Sequence, residues 1–435
     1  DVVSNAQMGG NYKPNLSASS VPMLVQKVYG LSVIVVQELK SYDDQNFLVE
    51  EVPGSSLPSD SQFASSHRYV LKILNAFDSR KPAVAEIQTE VILHAKRADI
   101  PTPDVIPTTN GNYQLLLSLP KSGFEDAEME KYVVRLFVFM PDETLDQVAL
   151  SHQLCYEVGW LAGKLDSVLQ DFSKAENSVI ASMSRGWNMS HIPELRGKLH
   201  IVRCPEQRRI IGEIIDKFET SVLSAQDKFS KGLIHSDFNE CNILVSQNFS
   251  SVPVKPSEVC RELEHTTSVD NNDVGATEQN FCLDQMQKNV AAKFKCRILT
   301  SDNAHSLDTK PWHVSGIIDF GDTTFSLYIF EVAIAIVYIM LNKHGVPAME
   351  AASFFLSGYL QHISLTDFEI KHLKLCVCAR FAQSLVLGYF SITSDPGNEY
   401  TLTHAERVWP VLKYLWDMPD ELAFVQLMEQ VTSKL

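Results

Sequence analysis

His235, Asp237 and Asn242 stand in the run LIHSDFNECNIL, flanked on both sides by apolar residues. Buried strands seldom carry such groups without a use. Further along, VSGIIDFGD from Val314 is a second apolar run, ending in Asp319, Phe320, Gly321 and Asp322. If Ile243–Val245 and Gly316–Ile318 pair as a hairpin, Asp237, Asn242 and Asp319 gather at one sheet edge. Those three residue types suit phosphoryl transfer. A hard cation such as Mg2+ takes oxygen ligands. Asp319 offers a charged oxygen, and Asn242 a neutral one that limits negative charge near a nucleotide. Asp237 is placed to orient an attacking hydroxyl and accept its proton. His235 reads as a brace for the loop.

Phosphoryl transfer also needs groups that hold the donor's phosphates. Lys72 lies inside the strand-like YVLKIL, where a buried ammonium requires a partner. The segment after Pro82 offers Glu86 and Glu90, one turn apart on one helix face. Glu86 is favoured as the partner, and Glu90 is the alternative. No G-x-G-x-x-G loop stands nearby. The loop SYDDQN would instead cover the phosphates with backbone amides and Ser41. Phe139–Met140–Pro141 reads as a hinge, with the backbone at Met140 meeting the base. H-x-D-x-x-x-x-N followed by D-F-G, with a strand Lys and a helix Glu upstream, is the residue order of kinase-like catalysis.

These residues need elements to position them. Ser32–Leu39, Asn46–Val52, Arg68–Leu74, Tyr113–Leu119 and Tyr132–Met140 are short and rich in β-branched and aromatic residues, which predicts strands. A helix is predicted after Pro82. From Pro141 onward the pattern turns helical. Leu154, Val158, Leu161, Leu165 and Leu169 form one amphipathic stripe, and Ile211, Ile214, Phe218 and Val222 form another. The expected fold class is α+β with two lobes. Residues 1–20 form a polar tail, 21–140 a mainly antiparallel sheet with one helix, and 141–435 a helical lobe. Within the last, residues 246–311 are polar, weakly periodic and read as an insertion.

With 435 residues the chain is too long for one ordinary core. Its formal net charge of −16 disfavours nucleic acid and anionic membranes as partners. No basic run offsets that charge, so a cationic small molecule is the more natural ligand. No apolar run is read as membrane-spanning, and no signal pattern precedes the strands, so a cytoplasmic location is expected. The eight cysteines form no C-x-x-C pair and read as buried thiols.

Taken in order, SYDDQNF at Ser41, YVLKI at Tyr69, VRLFVFMP at Val134, HSDFNECNIL at His235, the long run from Val314 and RFAQSLV at Arg380 resemble the aminoglycoside phosphotransferase and choline-kinase superfamily. Within it the resemblance is to the hydroxylysine kinase family. That resemblance implies a two-lobed protein-kinase-like fold, Mg2+, and transfer from GTP to the side-chain hydroxyl of 5-hydroxylysine. By residue it implies Asp237 as base, Asn242 and Asp319 as metal ligands, and Lys72 with Glu86 as the phosphate-positioning pair. A kinase for another amino alcohol, such as choline, homoserine or an aminoglycoside, is the alternative, and a silent pseudokinase a further one. Ser236 departs from the family, which has Gly between the His and the Asp. Asp142, Asp322, Glu331 and Arg135 are candidates for substrate charges, and Trp187 with Asn188 for the pocket wall.

Overall fold

The structure is a computed structural model of the chain. It describes residues 13–41, 43–52, 67–120, 129–172, 187–248, 310–342, 345–394 and 399–429. They divide into two compact units, one up to Pro141 and one from Asp142 onward.

The first unit opens on a helix where the sequence reads as β. Helix α1 spans Val21–Tyr29, with Pro22 in its first turn and Gly30 closing it at φ 77°. Proline's missing N–H is no loss at a helix start, and glycine tolerates the left-handed stop. Strands β1 (Val33–Leu39), β2 (Gln45–Glu51) and β3 (Arg68–Ile73) follow, then the short α2 (Ala76–Ser79) and α3 (Pro82–Arg97). Strands β4 (Val105–Ile106), β5 (Leu115–Pro120) and β6 (Met129–Val138) complete an antiparallel sheet ordered β1-β2-β3-β6-β4, with β5 also on β6. Val21, Val25 and Tyr29 of α1 pack with Phe47, Tyr69 and Leu71 in one buried cluster. Each large apolar side chain buried there contributes roughly 1.5–3 kcal/mol.

In the second unit β7 is Glu143–Thr144 and α4 is His152–Leu169, whose five predicted stripe residues are all buried. Helix α5 covers Pro205–Ser221, and β8 (Lys231–Ile234), β9 (Ile243–Ser246), β10 (His313–Ile317) and β11 (Thr324–Leu327) follow. Helices α6 (Tyr328–Leu341), α7 (Ala348–Tyr359), α8 (Asp367–Ser394), α9 (Glu399–Asp417) and α10 (Asp420–Glu429) complete it. A β-carbon at Gly159 would stand 1.9 Å from the Phe355 carbonyl oxygen, so α4 and α7 touch backbone to backbone. Helix α6 is apolar on almost every side and buried accordingly.

Strands β9 and β10 pair antiparallel, Ile243 with Ile317 and Val245 with Val314. Residues 249–309 of the expected insertion, and 1–12 of the expected tail, lie outside the described residues. One helical stretch, Asp367–Ser391, is long and apolar enough to cross a membrane by composition, which amends the reading that none is; 83% of its most apolar window is buried in protein. Cys155, Cys376 and Cys378 are buried free thiols as expected, but Cys204 and Cys241 are exposed.

Candidate active site

Two loops make the centre of the second unit. One runs from His235 to Asn242 between β8 and β9, and the other from Ile318 to Thr323 between β10 and β11. Because β8 pairs with β11 and β9 with β10, the loops must lie together. Two hydrogen bonds fasten them. His235 Nε2 donates to the Ile318 carbonyl (3.1 Å), and the Ile318 N–H donates to the Asn242 carbonyl (2.9 Å). Burial holds the His235 pKa below its ordinary value, so the ring is neutral with its proton on Nε2.

Asn242 fixes Asp237. Its Nδ2 donates to the Asp237 carbonyl (2.9 Å) and to Asp237 Oδ2 (2.8 Å). That commits the amide's orientation and turns Oδ1 away from Asp237. Burial pushes the Asp237 carboxyl up to about 6; the charge of Asp322 adds to this, Arg380 opposes it, and Asp319 raises it further. Asp319 is exposed and left-handed at φ 61°, and its carboxylate accepts from the Gly321 N–H (3.3 Å). The exposed Asp319 carboxylate and an Asn242 amide oxygen not committed to Asp237 are hard oxygen donors, which fits Mg2+. Among the described residues no group of three or more His, Cys, Asp or Glu gathers as a metal cage, and Mg2+ commonly uses one or two protein oxygens with phosphates completing its shell.

Ser236 lies at φ 67°, the left-handed region that favours glycine. Glu331 holds it there. Its Oε1 accepts from the His235 N–H (3.1 Å) and its Oε2 from the Ser236 N–H (2.8 Å). This corrects the reading of Glu331 as a substrate acid: it is fully buried in the first turn of α6, with both oxygens committed to the loop backbone. Burial pushes its carboxyl up to about 8, against the pull of those two N–H groups. Arg135 is likewise no substrate group, since it is buried and donates to the Ala85 carbonyl and to Gln88.

Trp187 is half-buried, and its carbonyl accepts from Arg380 Nη1 (2.8 Å) while its ring lies under that guanidinium (5.2 Å). Gln383 Nε2 donates to the Asn188 carbonyl (3.2 Å), so α8 grips both residues. Arg380, whose Nη2 also donates to the Tyr338 hydroxyl (3.3 Å), acts electrostatically on Asp237. Sequence reading missed Arg380 and Tyr338 as neighbours of the centre. A cation inside the long apolar run of α8 was the available signal. Glu240 was also missed; burial pushes its carboxyl up to about 7.

In the first unit Lys72 forms an ion pair with Asp44, Nζ to Oδ2 at 3.1 Å. The expected partner Glu86 is exposed and accepts instead from Gln114 Nε2 (2.9 Å), because the buried face of α3 is formed by Ala85, Gln88, Thr89 and Ile92. Glu90 is half-buried one turn further on. Ser41 Oγ is turned inward to the Asp44 carbonyl and shapes its own loop. Beyond β6, Phe139 donates to the Arg68 carbonyl (2.9 Å), whereas among the described residues the backbone groups of Met140 have no hydrogen-bond partner.

The phosphotransferase enzyme family model matches residues 36–252. Hydroxylysine kinase of Bos taurus is 30% identical over 407 residues, 93% of this chain and 91% of that protein. The chain belongs to the hydroxylysine kinase family. Hydroxylysine kinase of Mus musculus is 29% identical over 413 residues, covering 95% of this chain and 92% of that one. Among solved structures an amicoumacin kinase (TM-score 0.58, 13% identity, 93% of this chain and 95% of that one) and an aminopropanol kinase (0.57, 14%, 94% and 99%) share the kinase-like fold. This family member is thus a phosphotransferase with an alcohol group as acceptor.

Proposed function

We propose that the enzyme transfers the γ-phosphate of GTP to the side-chain hydroxyl of 5-hydroxy-L-lysine, giving 5-phosphohydroxy-L-lysine. The observation that carries this reading is the Asp237 carboxylate, fixed by Asn242 Nδ2 beside the exposed Asp319. Asp237 orients the acceptor hydroxyl and takes its proton as the new phosphate ester forms. Asn242 and Asp319 hold Mg2+, which when bound neutralises phosphate oxygens. The amicoumacin kinase was solved with a nucleotide analogue and Ca2+, which supports a nucleotide donor and a divalent ion here. Lys72 holds the α/β-phosphates, the Ser41 loop covers them, and the open backbone of Met140 meets the base. The substrate's ammonium groups suit the acidic surroundings of Asp237, to which Asp322 contributes, and Trp187 forms part of the wall. The choice of GTP and of hydroxylysine follows the family relationship. The acidic chain and its small-molecule chemistry suit a cytoplasmic enzyme with no nucleic-acid or membrane partner.

The test is phosphotransfer with Mg2+ and either GTP or ATP, across hydroxylysine, lysine, choline, homoserine and kanamycin. Hydroxylysine should turn over with GTP preferred, and lysine, which lacks the hydroxyl, should not. Asp237→Asn should lower kcat by about 10²–10⁴-fold with nucleotide affinity retained. Faster turnover of another alcohol would keep the catalytic roles and replace the substrate. Silence with every acceptor, from folded protein that binds nucleotide, would leave a pseudokinase.

A further inference from the structure

We propose that Asp44 is a positioning residue for the phosphate donor: it holds the Lys72 ammonium in the place where the donor's phosphates meet it. The proposal rests on the kinase reading above and replaces the Lys72–Glu86 pair expected from sequence.

The geometry lies within one unit. Lys72 Nζ and Asp44 Oδ2 are 3.1 Å apart, with side chains only 12% and 13% exposed. A pair so enclosed is weakly screened and holds its geometry better than a surface pair. Asp44 is itself anchored. Its Oδ1 accepts from the Asn75 N–H (2.8 Å) and from Asn75 Nδ2 (3.1 Å). Asn75 is fixed in turn, because its Oδ1 caps α2 at the Asp78 N–H (3.0 Å) and its Nδ2 also donates to Asp78 Oδ2 (2.7 Å). The register agrees: Asn46 faces Lys72 across β2 and β3, so Asp44 stands just beyond the paired ends.

That anchoring decides between two roles for an acid beside this lysine. A loosely held counter-ion would compete with the phosphates for the ammonium. An acid pinned by a backbone N–H and a capping amide cannot follow the ammonium, so it sets its position. An ammonium has three donors, and a bond to Asp44 does not exhaust them. Asp44 also belongs to the loop proposed to cover the phosphates, whose turn is closed by Ser41 on the Asp44 carbonyl. Loop and lysine are therefore one preorganised unit, which lowers the ordering cost of binding.

The experiment is direct titration of the full chain, with Mg2+, using a fluorescent GTP analogue displaced by unlabelled GTP. Asp44→Asn should weaken nucleotide binding about tenfold, the size of a 1.4 kcal/mol loss. In a Lys72→Met background the same change should alter affinity by less than about twofold, because the two residues act as one unit. Asp44→Glu should recover part of the affinity. Asn75→Ser, which keeps a capping oxygen and the backbone N–H but removes the Nδ2 donor to Asp44, should shift affinity the same way by less. With hydroxylysine as acceptor, the nucleotide KM should rise while kcat is nearly kept. Thermal unfolding of each variant shows that it is folded, and Asn75→Ser carries the test if Asp44→Asn is not. Unchanged or tighter binding in Asp44→Asn, or an undiminished loss in the Lys72→Met background, overturns the proposal. Wild-type protein that binds GTP but phosphorylates no alcohol sinks the substrate reading and leaves the Asp44 result to be decided by binding. Wild-type protein that binds no nucleotide sinks both.

Discussion

Ser236 occupies a left-handed backbone conformation immediately before the proposed base, and its N–H is held by a buried carboxylate. A non-glycine residue there costs roughly 1–2 kcal/mol. Glycine would remove that strain but restore about 0.5–1 kcal/mol of unfolded-chain freedom. Ser236→Gly should therefore raise stability by no more than about 1.5 kcal/mol, read as a higher urea midpoint at unchanged slope. Turnover should stay the same, because Glu331 and Asn242 aim the loop in either variant. A lower midpoint would mean that serine is not strained at this position. Glu331→Ala makes the contrast: it strips the acceptor from two buried N–H groups, at about 1–3 kcal/mol each, and should lower kcat as well. The sequence showed the oddity, serine where the family has glycine. It did not show the clamp, since Glu331 lies 95 residues further along.

Strand β10 delivers the loop that carries Asp319, and α4 grips that strand through one buried residue. Glu157 Oε1 bonds His313 Nδ1 (2.8 Å), and Oε2 accepts from the Val314 N–H (2.9 Å). The bond to Glu157 raises the His313 pKa above its ordinary 6.5, more than partial burial lowers it. The folded chain thus holds this proton more tightly than the unfolded chain. The contribution is complete below about pH 6.5 and is lost as pH rises through the higher folded value. His313→Gln keeps a donor but cannot titrate. The melting-temperature gap between wild type and His313→Gln should therefore be largest below about pH 6.5 and shrink as pH rises above it. A gap that is constant or widens with pH would show that the pair is not charged. The pairing of β9 with β10 was legible from two apolar runs flanking a polar stretch. The grip by α4 was not, because Glu157 falls in a helix whose sequence signal is its leucine stripe. Helix α1 went unread although Pro22 and Gly30 bracket it, because Val21, Val25, Val28 and Tyr29 also suit a strand.

On the scale of the whole chain, Ser246 and His313 face each other across the β9–β10 pair. A short turn can therefore join the strands. Replacing residues 249–309 with a Gly/Ser linker of about four residues should leave a soluble protein with unchanged kcat for hydroxylysine. Size-exclusion chromatography and the phosphotransfer assay check this; an aggregated product would place that segment in the folded core. The net charge of −16 acts on the same scale and favours a cationic acceptor over an anionic one.

Chain order and residue type were enough to foresee that Asp237, Asn242 and Asp319 come together beside the β9–β10 pair. Each is polar in an apolar setting, and each follows or precedes a strand that local pattern can find. The partners of charged groups were not legible in this way. Lys72 takes Asp44 rather than Glu86, and Glu331 serves the loop rather than a substrate. Such pairings depend on which helix face is buried and on how far a backbone turns at a strand end. Both follow from packing among segments distant in the sequence, where many acids compete for each cation and only the folded arrangement selects one.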